Sequence, residues 1–236
     1  MAQLVSSKNL FLSSRPLCVG VVSSGSVLQS LITNAQGQNP IPCDLFELRL
    51  DLIDLPSAEL RSLAEKLPAP ILLTARHPAE GGQGNLSAAQ RMALIEPLLD
   101  LAGALDLELR SLPEMKAVIE RAKSLGIPIV GSFHDFQATP QDPVLEGAIS
   151  FAENAGLDGV KIATYLNSPD DLCRLLKLVT STRRLRISAM GMGPWGRVSR
   201  LVLAKGGSLL NYGFLGDSNA PGQWPAQHLK ELLAEI

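Results

Sequence analysis

Short apolar runs recur along the chain at a nearly constant interval, and this recurrence limits the folds open to it. They start at Leu17 (LCVGVV), Asp44 (DLFELRL), Pro70 (PILLTA), Ala104 (ALDLEL), Ile127 (IPIVGSF), Leu157 (LDGVKIAT), Leu185 (LRISAM) and Ser208 (SLLNYGF), with spacings of 27, 26, 34, 23, 30, 28 and 23 residues. A strand, a helix and their loops together need about 30 residues. The intervening segments read as helices. Ser87 is a plausible N-cap for the stretch that follows it, Leu112 to Gly126 has Pro near its start and Gly at its end, and Ser168-Pro-Asp-Asp opens another. Eight alternations in 236 residues predict an α/β protein, a single (β/α)8 barrel domain over residues 1–236. The residues before Leu17 are expected to form a short hairpin closing the barrel bottom.

Composition supports a folded globular protein more than a coating one. Hydrophobic residues make up 46% and charged residues 19%, enough apolar material for a sizeable core. A net charge of −2 argues against a surface built for nucleic acid or an anionic membrane. No stretch approaches the ~20 apolar residues that span a bilayer, and the N-terminus is too broken for a secretion signal. Cys18, Cys43 and Cys173 have neither disulfide-framework nor metal-ligand spacing. The expected setting is cytoplasmic.

Barrel active sites lie at the C-terminal ends of the strands, so polar residues there carry most weight. Glu47, Arg49 and Asp51 alternate with apolar neighbours, which places the three charges on one side of a strand. An edge strand with a solvated face would read the same way, but a closed barrel has no edges. Lys161, between Val160 and Ile162, is either a snorkelling lysine or a nucleophile whose amine burial makes available. His134, in Ser132-Phe-His-Asp-Phe, suits a general acid and base. His77 follows the third run, and His228 falls in the last helix. Arg49, Arg76 and Arg200 together would make a positive pocket for an anionic, oxygen-rich small molecule. Gly191-Met-Gly-Pro-Trp-Gly196 matches a dinucleotide fingerprint, with Asp217 downstream. Only one strand remains after it, so an anion site on the loop after strand seven is the preferred reading.

Six segments, taken together, resemble the type I 3-dehydroquinate dehydratases. They are Glu47-Leu-Arg49-Leu-Asp51, Thr74-Ala-Arg76 with Glu80-Gly-Gly, Ser132-Phe-His134-Asp-Phe, Val160-Lys161-Ile-Ala, Met190-Gly191 through Ser199-Arg200, and Ala220-Pro-Gly-Gln223. They run in family order over essentially the whole barrel. The resemblance implies dehydration of 3-dehydroquinate to 3-dehydroshikimate in the shikimate pathway of aromatic amino acid biosynthesis. Lys161 would form a Schiff base with the C3 ketone. His134 would take the C2 proton and protonate the departing C1 hydroxyl, with Glu80 orienting its ring. Arg200 and Gln223 would hold the substrate carboxylate, and Glu47, Arg49 and Arg76 the ring hydroxyls. No metal or organic cofactor is implied. Family members are commonly homodimers, and some are fused to a shikimate dehydrogenase. Asn219 stands where the family usually has Ser, in a loop expected to close over substrate. Three other readings share parts of the pattern: a Schiff-base aldolase acting on a sugar phosphate, a catalytically silent metabolite-binding barrel, and a dinucleotide-dependent oxidoreductase.

Overall fold

The computed structural model describes residues 7–37, 39–181, 183–217 and 222–236. Each apolar run carries one strand: β1 (Leu17–Val22), β2 (Leu45–Arg49), β3 (Ile71–Thr74), β4 (Ala102–Glu108), β5 (Ile129–Asp135), β6 (Gly159–Tyr165), β7 (Arg186–Met192) and β8 (Leu210–Phe214). The helices between and after them are α1 (Gly25–Gln36), α2 (Ser57–Ala64), α3 (Ala88–Ile95), α4 (Lys116–Ser124), α5 (Asp142–Asn154), α6 (Pro169–Thr180), α7 (Gly196–Gly206) and α8 (Ala226–Ala234). The strands form one parallel sheet in the order β7-β6-β5-β4-β3-β2-β1-β8. Closure between β7 and β8 adds two serines to a main-chain bond from Leu209 N–H to the Ile187 carbonyl at 3.0 Å. Ser188 Oγ accepts the Leu210 N–H and Ser208 Oγ accepts the Ala189 N–H, both at 3.0 Å. Hydroxyls thus satisfy backbone donors that a regular ladder would have paired. The result is the expected (β/α)8 barrel.

Alternation sorts the strand residues into two cores. Phe46, Leu48, Leu73, Leu105, Ile129, Val160 and Ile162 face outward and pack with the helices. Leu17, Val19, Leu45, Leu72, Ala104 and Val130 face inward. Ser87 and Ser168 cap α3 and α6 through reciprocal bonds with Gln90 and Asp171.

Two expectations are corrected. Ser7–Leu12 form a 3-10 helix where a hairpin was expected. Leu10 is fully buried in the inner core, and Gly159 leaves room for the Phe11 ring, which a Cβ there would meet at 2.5 Å. A plug of two side chains therefore closes the bottom without strand pairing. The helix expected from Leu112 begins only at Lys116. Ser111 holds the chain against the barrel mouth, its hydroxyl 3.2 Å from Glu108 and 3.1 Å from Arg91, and the chain enters α4 only beyond Met115.

The plug lies at the end of the barrel opposite the strand tips, so it should affect stability and not chemistry. Leu10→Ala should lower the unfolding free energy by roughly 2–4 kcal/mol, measured by urea titration. Turnover per folded molecule should stay at the parent level.

Candidate active site

The barrel interior changes character halfway up. Glu47, Asp106, Lys161 and Tyr212 come one each from β2, β4, β6 and β8, the alternate-strand layering of an eight-stranded barrel. Lys161 Nζ lies 3.1 Å from Asp106 Oδ2, 3.9 Å from Glu47 Oε1 and 4.1 Å from the centroid of the Tyr212 ring. Lys161 is only 4% exposed. It is the third of seven residues in β6, deeper than a strand-tip residue. Burial pulls its ammonium down, Asp106 pushes it back up, and Arg76 opposes that; the result is a value below the ordinary lysine range. Burial would also raise Asp106, but the charges of Arg76 and Lys161 outweigh it and hold this carboxyl far below the usual range. The Tyr212 hydroxyl is buried with no hydrogen-bond partner among the described residues.

Arg76 follows β3 and ties this layer to the next. Its Nη1 donates to Asp106 and Glu108, both at 2.9 Å, and to Ser132 Oγ at 2.7 Å; Nη2 donates to Asp106 Oδ2 at 3.1 Å. Arg49 is held bidentately by Asp51, at 2.9 and 2.8 Å.

His134 is the sixth residue of β5, and its register partner on β6 is Ala163, two positions above Lys161. Its Nδ1 lies 2.9 Å from Glu80 Oε2, and the same oxygen accepts the His134 backbone N–H at 3.0 Å. Glu80 reaches this position from a 3-10 turn, Pro78–Glu80. Gly81 ends the turn with φ +84, against the ring of Phe136. Burial, with the charges of Arg76 and Lys161, holds His134 well below the ordinary imidazole value, so the ring is neutral near pH 7. With Nδ1–H donating to Glu80, Nε2 carries the lone pair, as a general base requires. His77 serves locally, its Nδ1 accepting the Ala79 N–H at 3.0 Å. His228 is half exposed on α8, 3.7 Å from Glu231.

Arg200 lies one turn into α7, not at its first residue, and is 1% exposed. Its Nε donates to the Tyr212 carbonyl, and Nη1 donates to the carbonyls of Gly191, Gly196 and Gly222 at 2.9, 2.8 and 2.6 Å. No carboxylate pairs with it among the described residues, and burial lowers it to about 10, which still leaves it charged. The loop after β8 rests on the start of α7, where a Cβ on Gly196 would come within 2.9 Å of the Gly222 Cα. The glycines singled out as a fingerprint thus serve close packing, Gly196 against backbone and Gly193 against the Tyr165 ring, and the helix N-terminus they open is covered. A Cβ on Gly191 would likewise lie 2.2 Å from Leu166 Cδ1. This removes the structural basis for the dinucleotide reading.

Glu47, Arg49, Arg76, Glu80, His134, Lys161, Arg200 and Gln223 line a single cavity at the C-terminal end of the barrel, open to solvent. Asn219, with the rest of 218–221, lies outside the described residues. The pocket is not positive in the way three arginines suggest, because Arg49 and Arg76 are neutralised by carboxylates. Asp106 and Glu108 went unweighed in the sequence. They alternate in Leu105-Asp-Leu-Glu108 as Glu47 and Arg49 do in their strand, and that alternation was the signal available.

The family model for type I 3-dehydroquinase matches residues 17–236. The chain belongs to the type I 3-dehydroquinase family. The 3-dehydroquinate dehydratase of Methanococcoides burtonii is 27% identical to this member over 228 residues, covering 94% of this chain and 95% of its own. The chloroplastic bifunctional 3-dehydroquinate dehydratase/shikimate dehydrogenase of Arabidopsis thaliana is 30% identical over 221 residues, 92% of this chain but 36% of its own. The crystal structure of 3-dehydroquinate dehydratase from Geobacillus kaustophilus HTA426 matches this chain with a TM-score of 0.82 at 26% identity, covering 94% of this chain and 91% of that one.

Burial and the nearby Glu108 charge raise Glu80 to about 7 from its ordinary 4.5, against the pull of Arg76. A raised acid favours the neutral form in the folded state. Its stabilising contribution is therefore complete below about 4.5 and lost as the pH climbs through 7. Glu80→Gln removes that loss. Its melting temperature relative to the parent should rise between pH 5 and pH 8, and a pH-independent difference would contradict the assignment.

Proposed function

We propose that this protein dehydrates 3-dehydroquinate to 3-dehydroshikimate, a step of the shikimate pathway, through an imine on Lys161. The observation that carries the reading is a buried amine, an oriented imidazole and a cation without a carboxylate partner among the described residues, all lining one cavity. Family membership supports the same reaction.

The free amine of Lys161 adds to the C3 carbonyl, whose oxygen leaves as water. The positive iminium takes the place of the ammonium between Asp106 and Glu47, so the charge that develops meets carboxylates already in position. That iminium withdraws electrons from C2. His134 removes the C2 proton through Nε2, its ring steadied by Glu80, and then protonates the C1 hydroxyl as it departs. Water hydrolyses the imine, releasing product and the amine. Arg200, held by four main-chain carbonyls, gives the substrate carboxylate a fixed cation. Gln223, Arg49 and Glu47 face the remaining oxygens.

Borohydride added with 3-dehydroquinate should leave one reduced adduct on Lys161, read by intact mass and peptide mapping. Lys161→Ala should give none. An adduct on Lys205 or Lys230 sinks the assignment.

The cation site makes a separate prediction. Arg200→Ala should raise KM at least tenfold, roughly the 1.5–3 kcal/mol of a hydrogen bond to a charged group. An unchanged KM would move the carboxylate to Arg49 or Arg76.

A further inference from the structure

We propose that Arg91 is a positioning residue for this reaction: from α3, outside the barrel, it holds Glu108 so that one carboxylate fixes both the Lys161 branch and the Glu80–His134 branch of the site. This rests on the imine reading above.

The geometry is a chain with a fork. Arg91 is 1% exposed and lines no part of the cavity. Its Nη1 donates to Glu108 Oε2 at 3.0 Å and to Ser111 Oγ at 3.1 Å. The other oxygen of Glu108 accepts from Arg76 Nη1 and from the His77 backbone N–H, both at 2.9 Å. Through Arg76 the chain runs to Asp106 and then to Lys161 Nζ. Through His77 it runs into the turn that carries Glu80 to the His134 ring. The next buried residue on this face of α3, Ile95, is apolar. A buried arginine there is costly to desolvate, and a hydrophobic pair of similar volume would serve stability as well or better. The Arg91 Nε even lacks a hydrogen-bond partner among the described residues. What the arginine supplies and an apolar residue cannot is a charge that keeps Glu108 in its forked position.

The pair adds one charge of each sign behind Asp106, Arg76 and Glu47, the groups that act most strongly on the lysine. Charged or titratable groups reach Lys161 from β2 (Glu47), the end of β3 (Arg76), β4 (Asp106), β5 (His134) and β8 (Tyr212, through its ring). Its β7 register partner is Ser188, which does not titrate. Glu108 faces Arg76, His77, Glu80 and Arg91, and Arg91 also acts on His77 and lies 3.9 Å from the exposed Glu114. Arg110 is a further charge acting on this corner, where it lowers Glu80. Removing Glu108 takes a negative charge from this set; removing Arg91 takes a positive one.

The test is competitive acetylation by limiting acetic anhydride across pH, with the label on Lys161 read by peptide mass spectrometry, beside pH profiles of kcat/KM. At a fixed pH below its titration, Lys161 labelling should rise roughly threefold or more in Glu108→Gln and fall by a similar factor in Arg91→Met. The kcat/KM limb that follows Lys161 should move to lower pH in the first and to higher pH in the second. Arg91→Lys, which keeps the charge, should restore the parent profile. If Arg91→Met does not fold, the double variant Arg91→Met with Glu108→Gln, which leaves no charge unpaired at this position, should return labelling from the Glu108→Gln level towards the parent. Labelling equal to the parent in Glu108→Gln, or both single variants moving the same way, overturns the proposal. Failure of the underlying reading is separate: the parent would then give no borohydride adduct, while acetylation still reports on Lys161.

Discussion

A lysine in the middle of a barrel can be held there only if carboxylates meet it, and those carboxylates can be held only if cations meet them. Bringing one ammonium out of water costs several kcal/mol even after the protein relaxes. Asp106 and Glu47 offset that cost for Lys161. Arg76 then lies against Asp106 and Glu108, and Arg91 against the far side of Glu108. This network thus carries three carboxylates and three cations, and it balances while Lys161 is positive. That condition holds for the ammonium of the resting site and again for a protonated imine. It fails for the free amine between them, a form that burial and Arg76 nevertheless bring within reach. The site is arranged for the charged states on either side of the attack, and the neutral nucleophile is a passing form.

The barrel architecture makes this arrangement possible. Inward positions at the bottom are filled by Leu10, Leu17, Leu45 and Leu72, so the lower interior is a dry core. Two residues further along the same strands, alternation brings the next inward position to Glu47 on β2 and Thr74 on β3, and the Thr74 hydroxyl donates to Glu47 at 2.8 Å. Polar residues this deep are tolerable because each finds a partner across the interior, and a closed parallel sheet offers such partners from every direction. The loops then do the remaining work. One turn after β3 delivers Glu80, and the contact between Gly196 and Gly222 brings a main-chain carbonyl onto Arg200.

The eight strands were legible because barrel strands are buried on both faces and so read as continuous apolar runs, with turn residues marking their ends. The N-terminal plug was not, because Leu10 and Phe11 owe their conformation to a hole that exists only once the barrel has closed. The site was legible in its parts. Lys161 and His134 stood out as polar residues in apolar strands, and Glu80 came through the family resemblance. Asp106 and Glu108 were absorbed into the fourth apolar run, although their alternation matched that of Glu47 and Arg49. Arg91 gave a subtler signal, one turn before Ile95 on the buried face of α3. Spacing locates such a residue, but only the fold shows that its charge has a partner. The same limit explains the pocket: counting three arginines predicts a positive cavity, whereas Asp51, Asp106 and Glu108 neutralise two of them.

That neutralisation bears on what the cavity can accept. A sugar phosphate carries close to two negative charges at neutral pH, and a Schiff-base aldolase acting on one would need at least two unpaired cationic groups or an open helix N-terminus. Here Arg49 and Arg76 are already paired, and the start of α7 is covered by the backbone at Gly222. Among the described cations lining the cavity, Arg200 alone offers a charge that no carboxylate answers. One cation suits one carboxylate. A second negative charge in the same place would face Glu47 across the cavity, with Arg49 and Arg76 already engaged by carboxylates. The electrostatics therefore favour a monoanion with a ketone within reach of Lys161, which is the description of 3-dehydroquinate and not of a phosphorylated sugar.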